Sequence, residues 1–261
     1  MINLQKLKSF MLVGAILLIS TLFLGLTSVS AQANLDYSAK SLKPDKYEPT
    51  GDPSIGYPQM VIRTNRTAER TNFEEVIQKA NQVANQYPTN DKENRAKAVT
   101  KELNKMFGSG AFGHTWIIFF NSPKKGDYTS YGYHAGLGFV KNGKNDSPER
   151  KFHLERVLPM KDTSKYPDQL EKTIISNLNK QSAEIAKIMG IPVNDPNNGA
   201  YTPINNCTWF AGNLWNYATN DNLVFEQDFD GASHADDWGM PFLNMINKVG
   251  DPGMVAESIA Q

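Results

Sequence analysis

Hydrophobic residues recur every three or four positions in three stretches of the chain, which is the spacing of one buried helix face. The first stretch begins near Thr71 and ends at Pro88, and the second covers residues 92–106 and ends at Gly108. The third runs from about residue 168 to residue 189 and stops at a Gly-Ile-Pro sequence. The pattern therefore predicts three amphipathic helices, each with one face toward a core.

Strand patterns lie between the second and third predicted helices. Residues 114–120 form a run of β-branched and aromatic side chains that is typical of a buried strand, and residues 128–140 alternate like a second strand. Residues 152–158 predict a third strand, and the Asn-Gly pair at 142–143 before it is typical of a hairpin turn. A short edge strand is expected at residues 58–62.

These elements predict an α+β fold, in which an antiparallel sheet packs against helices and two additional helices precede most of the sheet. The chain divides into four segments on this basis. We expect a leader over residues 1–31, an extended N-terminal arm over 32–68, a single α+β domain over 69–250 and a tail over 251–261.

The leader has the layout of a secretory signal peptide. Lys6 and Lys8 precede an almost unbroken apolar run from Met11 to Leu26, and Ala31 ends a short stretch of small residues suited to a signal peptidase. We therefore expect a secreted, periplasmic or cell-envelope protein with no stable membrane insertion after the signal is cleaved. The alternative is an uncleaved anchor, for which the apolar run is near the short limit.

Charge and cysteine content narrow the function classes. Lys+Arg and Asp+Glu both number 27, so no positive excess favours nucleic acid, and no nucleic-acid partner is expected. Hydrophobic residues make up 40% of the chain, which is typical of a globular protein with a sizeable core. Cys207 is the single cysteine, so it forms no internal disulfide. Such a thiol is either reactive or buried as a small hydrophobe.

The sequence around Cys207 predicts a fourth helix that begins at this residue. Phe210, Leu214 and Tyr217 follow the cysteine at helical spacing, and an asparagine at 205 or 206 is suited to the N-cap. Cys207 then lies in the first turn, where the helix dipole and free amides favour a thiolate.

A nucleophilic thiol needs a base, and the base needs a group that fixes its orientation. Four histidines are candidates. His114 begins the first predicted strand, and His134 lies on the second strand, on the face opposite the aromatic side chains. His153 lies within the third predicted strand, and His234 lies in a polar loop near the C-terminus.

Two short motifs resemble one known group of enzymes. Gly113-His114-Thr115-Trp116 opens a strand, and Asn206-Cys207-Thr208-Trp209-Phe210 opens a later helix. Together they resemble the circularly permuted papain-like cysteine hydrolases, which include permuted NlpC-type cell-wall peptidases and lecithin–retinol acyltransferase-like enzymes. The resemblance covers about residues 110–220. It implies that Cys207 is the nucleophile, His114 the base and His134 the third polar residue.

The same resemblance implies cleavage of an amide through an acyl-enzyme, and the first candidate substrate is a cell-wall peptide, namely peptidoglycan, or a protein. An acyltransferase or lipase-like thiol enzyme is the alternative. The backbone N–H of Cys207 is a candidate oxyanion donor, with Tyr201, Asn205 or Asn206 as the second donor and Trp209 as a further substrate contact. No cofactor and no metal are expected.

Two other interpretations remain open from the sequence. His114 and His134 could bind zinc together with a carboxylate, although no helical His-Glu-X-X-His motif is present. The other interpretation is a catalytically inactive secreted binding module of the same fold. Its aromatic side chains would line a groove for a sugar or a protein. Its candidate residues are Trp116, Trp209, Trp215 and Trp238.

Overall fold

Five antiparallel strands form the central sheet of the protein. The computed structural model describes residues 45–108, 110 and 112–261, so the predicted signal peptide over 1–31 and the first part of the predicted arm lie outside the described residues. All described residues belong to one compact unit. The strands are β1 (Gln59–Thr64), β2 (Thr115–Phe120), β3 (Tyr128–His134), β4 (Gly138–Lys141) and β5 (Leu154–Pro159), and they lie in the order β4-β3-β2-β1-β5.

Strand β1 lies inside the sheet, which corrects the expectation of an edge strand within an unstructured arm. Ile62 faces Ile117 of β2 on one side and Arg156 of β5 on the other. All six residues of β1 are buried. The folded domain therefore begins before residue 69, since β1 is paired along both of its edges.

The single strand predicted over residues 128–140 is a hairpin made of β3 and β4. Gly136 and Gly138 have φ values of 78° and 73°, which side chains other than glycine rarely adopt. The chain therefore reverses just after His134, and His134 pairs with Gly138 at the end of the ladder.

The helices follow the sequence pattern closely. Two helices lie between β1 and β2 as predicted, and the predicted long helix contains one π-helical turn over Glu171–Ile175. The helices are α1 (Phe73–Ala84), α2 (Lys92–Gly108), α3 (Pro167–Leu170), α4 (Ser176–Ile188), α5 (Cys207–Thr219), α6 (Ala232–Ala235) and α7 (Pro252–Ala260). Two short strands, β6 (Glu226–Asp228) and β7 (Lys248–Gly250), pair with each other.

Helix α7 occupies the segment that was expected to be a tail. Asp251 accepts a hydrogen bond from the backbone N–H of Gly253 and so caps the helix. Met254, Val255 and Ala256 are buried. The segment is part of the core because its apolar residues pack against the sheet.

The sheet has two buried faces with different partners. Helix α5 packs on the face that carries Ile117, Phe119, Tyr131 and Tyr133, which we call the helix face. Phe210 of α5 stacks on Tyr133 with ring centroids 5.0 Å apart. The opposite face, which we call the outer face, carries Val61, Trp116, Ile118, Phe120 and Phe152.

Among the described residues, no helix is both long enough and apolar enough to span a membrane. The described fold agrees with the predicted α+β class, with helices packed against an antiparallel sheet.

Candidate active site

Cys207 is the first residue of α5, as the sequence predicts. The side chain of Asn206 accepts hydrogen bonds from the backbone N–H groups of Thr208 and Trp209, both at 3.0 Å, and is therefore the N-cap. The same side chain donates to the carbonyls of Pro203 and Gly250. Asn206 thus fixes both the start of the helix and the loop in front of it.

The sulfur of Cys207 lies against the backbone that carries His114. It is 4.0 Å from the carbonyl oxygen of Gly113 and 4.0 Å from Oγ1 of Thr208. Burial raises the pKa of the Cys207 thiol above its ordinary value, and hydrogen bonds from the Thr115 backbone and the Thr208 side chain offset only part of this effect. The sulfur, which the sequence predicts to be a thiolate, is therefore a thiol at neutral pH.

The imidazole of His114 is held by a buried carboxylate. Its Nε2 lies 2.7 Å from Oδ1 of Asp146, and Asp146 has no exposed surface. Burial lowers the pKa of His114 to about 4, although the hydrogen bond and the charge of Asp146 act in the opposite direction. His114 is therefore neutral at neutral pH.

His134 binds the other oxygen of the same carboxylate. Its Nε2 lies 2.7 Å from Oδ2 of Asp146, and the rings of His114 and His134 have centroids 5.0 Å apart. Burial raises the pKa of Asp146, but hydrogen bonds from the two imidazoles outweigh it and bring the pKa down to about 2. An ionised carboxylate only accepts hydrogen bonds, so we assign the proton of each ring to Nε2. The Nδ1 atom of His114 then carries the basic lone pair.

Asp146 is the central residue of this cluster, and no position-specific signal in the sequence identified it. It lies in a short 3₁₀ turn, Lys144–Asp146, directly after the predicted Asn-Gly turn. Gly132 of β3 makes room for the carboxylate, because a Cβ atom there would lie 2.3 Å from its oxygens. His134 was expected to orient His114 directly, whereas the structure places Asp146 between them.

The sulfur and the imidazole approach the start of β2 from different faces of the sheet. The ring of His114 stacks on Trp116 of the outer face at 5.5 Å, whereas Cys207 belongs to the core on the helix face. Among the hydrogen bonds of the described residues, none joins Cys207 to His114. The backbone of residues 113–115 lies between the two groups.

Asn65 fixes the backbone of His114 at the end of β1. The backbone N–H of His114 donates to Oδ1 of Asn65 at 2.6 Å, and the backbone N–H of Asn65 donates to the His114 carbonyl at 3.1 Å. Gly113 has a φ value of 99°, and a Cβ atom there would lie 2.4 Å from the side chain of Arg66. The segment that carries the imidazole is therefore closely confined.

The predicted oxyanion residues have different surroundings. The hydroxyl of Tyr201 donates to the carbonyl of Phe107 at 2.9 Å, and the amide of Asn206 is fully used in capping and in the preceding loop. Asn205 is buried and bonds Thr202, and its side-chain NH₂ has no hydrogen bond among the described residues. Trp209 is half-buried and meets the edge of Tyr133. Of the three predicted side-chain donors, Asn205 is therefore the one with an unused N–H group among the described residues.

The other two histidines lie outside the cluster. His153 precedes β5, and its Nδ1 is 3.8 Å from a carboxylate oxygen of Asp45. His234 lies in α6 and stacks on Trp238 at 4.7 Å. Only His114 and His134 are brought together with Asp146, and a potential metal-ligand atom of each of these three residues lies within 4.8 Å of the other two.

An apolar pocket lies beside the loop that precedes Cys207. Pro203 and Ile204 belong to this loop and line the pocket, which is open to solvent and has about 470 Å³ of empty space when its mouth is included. The remaining lining residues are also apolar and come mainly from the helices and from the C-terminal part of the chain: Phe73, Val76, Leu103, Phe107, Met189, Phe229, Trp238, Met240, Leu243 and Val249.

Comparisons of the chain with protein-family models, with curated proteins and with solved structures found no match. The resemblance to permuted papain-like hydrolases therefore rests on the two motifs around His114 and Cys207 alone.

Proposed function

We propose that the protein is an exported cysteine hydrolase that cleaves an amide, with a cell-wall peptide or a protein as its substrate. One observation carries the proposal. The three residues 113–115 contact the sulfur of Cys207 on one side and carry, on the other side, an imidazole whose orientation is set by Asp146. A thiol, a neutral imidazole and a carboxylate are thus gathered at the start of one helix and one strand.

Each group has a distinct role in the proposed reaction. His114 removes the thiol proton through Nδ1 as the sulfur attacks the carbonyl carbon, and it then gives this proton to the leaving amine. Asp146 stabilises the imidazolium formed in between, because its carboxylate accepts the Nε2–H bond. Water releases the acyl group in a second step. The backbone of residues 113–115 separates the sulfur from the imidazole in the described structure, so the proton transfer requires this segment to move when substrate binds.

The oxyanion of the proposed reaction faces the start of α5. The side chain of Asn206 accepts from the second and third N–H groups of the helix, and no hydrogen bond of the described residues uses the N–H of Cys207. This first amide is free to donate to a developing oxyanion. The side-chain NH₂ of Asn205 supplies the second hydrogen bond.

The test compares hydrolysis by the full-length protein with hydrolysis by Cys207→Ser and His114→Gln. The substrates are peptidoglycan fragments, peptide amides and simple acyl esters. We expect both variants to lose activity by at least a hundredfold, since a positioned base contributes roughly 10² to 10⁴. His234→Gln is the matched control, because His234 lies in α6 and outside the cluster.

Loss of activity must occur without loss of fold, which circular dichroism and thermal unfolding of each variant establish. Full activity of Cys207→Ser or of His114→Gln in a folded protein would refute the proposal. An acyl-enzyme trapped on Cys207 and detected by mass spectrometry would support it directly.

The apolar pocket favours one second candidate, an acyltransferase or lipase-like thiol enzyme. Pro203 and Ile204 line the pocket and belong to the loop before Cys207, so the pocket offers apolar side chains to the acyl group of an ester substrate. Esters of increasing chain length distinguish the two candidates. Activity that rises with chain length, and is low on peptide amides, would favour the lipid substrate.

A further inference from the structure

The cluster of His114, His134 and Asp146 has the composition of a metal site with an open position. Some catalytic zinc sites use two histidines and one carboxylate, and leave the fourth position to water or substrate. Here one potential ligand atom of each residue lies within 4.8 Å of the other two. The buried Asp146 places a negative charge between the two rings.

Zinc binding requires small movements of the three side chains. Bonds of about 2.0 to 2.2 Å in a tetrahedral arrangement place the ligand atoms roughly 3.3 to 3.5 Å apart. Each Nε2 atom is 2.7 Å from its carboxylate oxygen, so each pair must open by about 0.6 to 0.8 Å. The side chain of His134 is 18% exposed, which gives an ion a route from solvent.

We propose that His114, His134 and Asp146 bind Zn²⁺ through the two Nε2 atoms and the carboxylate, and that this ion inhibits the enzyme. The ion takes the position of the two protons that join the rings to the carboxylate. In each ring the proton leaves Nε2 and is carried by Nδ1, so both rings stay neutral and no net proton is released.

Inhibition follows from the change of tautomer at His114. The lone pair of Nδ1 is the base in the proposed reaction, and in the zinc complex Nδ1 carries a proton instead. His114 then cannot accept the proton of Cys207. This inhibition rests on the proposed function, whereas the zinc site itself depends only on the three side chains.

Arg150 is the charged group that opposes a cation in this cluster. Its guanidinium lies 4.9 Å from the ring centroid of Trp116, which in turn stacks on His114. Its charge also acts on Asp146. Removing this charge is therefore expected to raise the affinity for zinc. A variant at Arg150 thus changes zinc binding in the opposite direction to a variant that lacks one of the three ligands.

The experiment measures zinc affinity by competition with a metal indicator, using the full-length protein after treatment with a chelator. We expect one Zn²⁺ per chain for the wild type, at least a tenfold loss of affinity in Asp146→Asn and His134→Gln, and a gain in Arg150→Gln. Cys207→Ala and His234→Gln are the controls, and both are expected to keep the wild-type affinity. Thermal unfolding of each metal-free variant establishes that it is folded.

Three results would overturn the site: a wild-type affinity no greater than that of Asp146→Asn, a loss of binding in Cys207→Ala, or binding by His134→Gln equal to the wild type. The tautomer step has its own readout, the rate at which a substrate acylates Cys207 in a single turnover, followed by mass spectrometry. Zinc should slow this reaction in the wild type and leave it unchanged in Asp146→Asn. An unchanged rate in the zinc-loaded wild type would refute inhibition through His114.

The zinc proposal and the proposed function fail in different ways. A protein that binds zinc through these residues but hydrolyses no substrate would support the site and refute the hydrolase. A protein whose hydrolysis needs Cys207, and whose activity rises with bound zinc, would refute the inhibitory role. Hydrolysis that falls in proportion to zinc occupancy would support both.

Discussion

The substitution Asp146→Asn tests the central contact of the cluster through protein stability. Asparagine keeps the size of the side chain but removes the charge that accepts hydrogen bonds from His114 and His134. The pKa of Asp146 is about 2 in the folded protein, against an ordinary value of 3.8. That difference corresponds to about 2 kcal/mol of folding free energy at neutral pH.

The pH dependence of this loss in folding free energy follows from the direction of the Asp146 pKa shift. A carboxyl whose pKa is lowered by folding stabilises the protein above its unfolded pKa, and this contribution is lost as the pH falls toward the folded pKa. The difference between wild type and Asp146→Asn should therefore be constant from pH 7 to about pH 5. It should fall to about half at pH 3 and nearly vanish at pH 2.

Urea unfolding followed by circular dichroism at pH 7, 5 and 3 measures this difference. Asp237→Asn is the matched control, because Asp237 is exposed and its loss should change the free energy of unfolding by less than about 0.5 kcal/mol. A loss below about 0.5 kcal/mol for Asp146→Asn at pH 7 would refute the assigned contacts. A difference that stays constant down to pH 3 would show that folding does not lower the pKa of Asp146.

Three further outcomes are expected from the same site. Because burial raises the pKa of Cys207, its alkylation by iodoacetamide in the folded protein should be slower than that of free cysteine at pH 7. The alkylation rate should rise roughly tenfold per pH unit up to about pH 9. A fast, pH-independent rate would contradict this prediction. Gly132→Ala should lower the free energy of unfolding by about 1 to 3 kcal/mol, measured in urea, because the new methyl group meets the Asp146 carboxylate; an unchanged free energy of unfolding would contradict this contact. Tyr201→Phe should lower the free energy of unfolding by about 1 kcal/mol, because the hydrogen bond to the Phe107 carbonyl is lost, and should leave the rate of hydrolysis nearly unchanged. A large loss of hydrolysis would instead make Tyr201 a catalytic donor.

Local patterns predicted the start of α5 well, because the forces that fix it are local. Asn206 caps the helix through hydrogen bonds to residues two and three positions ahead, and Phe210 and Leu214 follow Cys207 on the buried side. The alternation in β3 likewise placed His134 on the face opposite Tyr133. Information within a few residues sufficed in both cases.

Other features depend on partners that are distant in the chain. Strand β1 contains Arg63, which has no exposed surface and bonds Glu155, Pro148 and Glu48. A charged residue in a short strand is typical of a strand at the edge of a sheet. The neighbouring sequence does not show that the charge of Arg63 is paired in the interior of the protein. The interior position of β1 could therefore not be predicted from its own pattern.

The pKa of Cys207 shows how correct local principles can predict a shift in the wrong direction. The start of a helix does favour a thiolate, and the Thr115 and Thr208 groups around the sulfur also act in that direction. Burial acts against them and is larger, since Cys207 has only 2% of its surface exposed. Sequence spacing reports the helix terminus but not the burial, which depends on the fold.

One carboxylate links the two proposals, because an Nε2 atom that binds a metal no longer carries the proton that Asp146 accepts. With protons on both Nε2 atoms, Asp146 leaves Nδ1 of His114 as a base and completes the proposed hydrolase. With a metal on the Nε2 atoms, the same carboxylate becomes a ligand and the base is lost. Activity and zinc occupancy should therefore exclude each other in the wild type, and Asp146→Asn should weaken both, because it removes the group that each state requires.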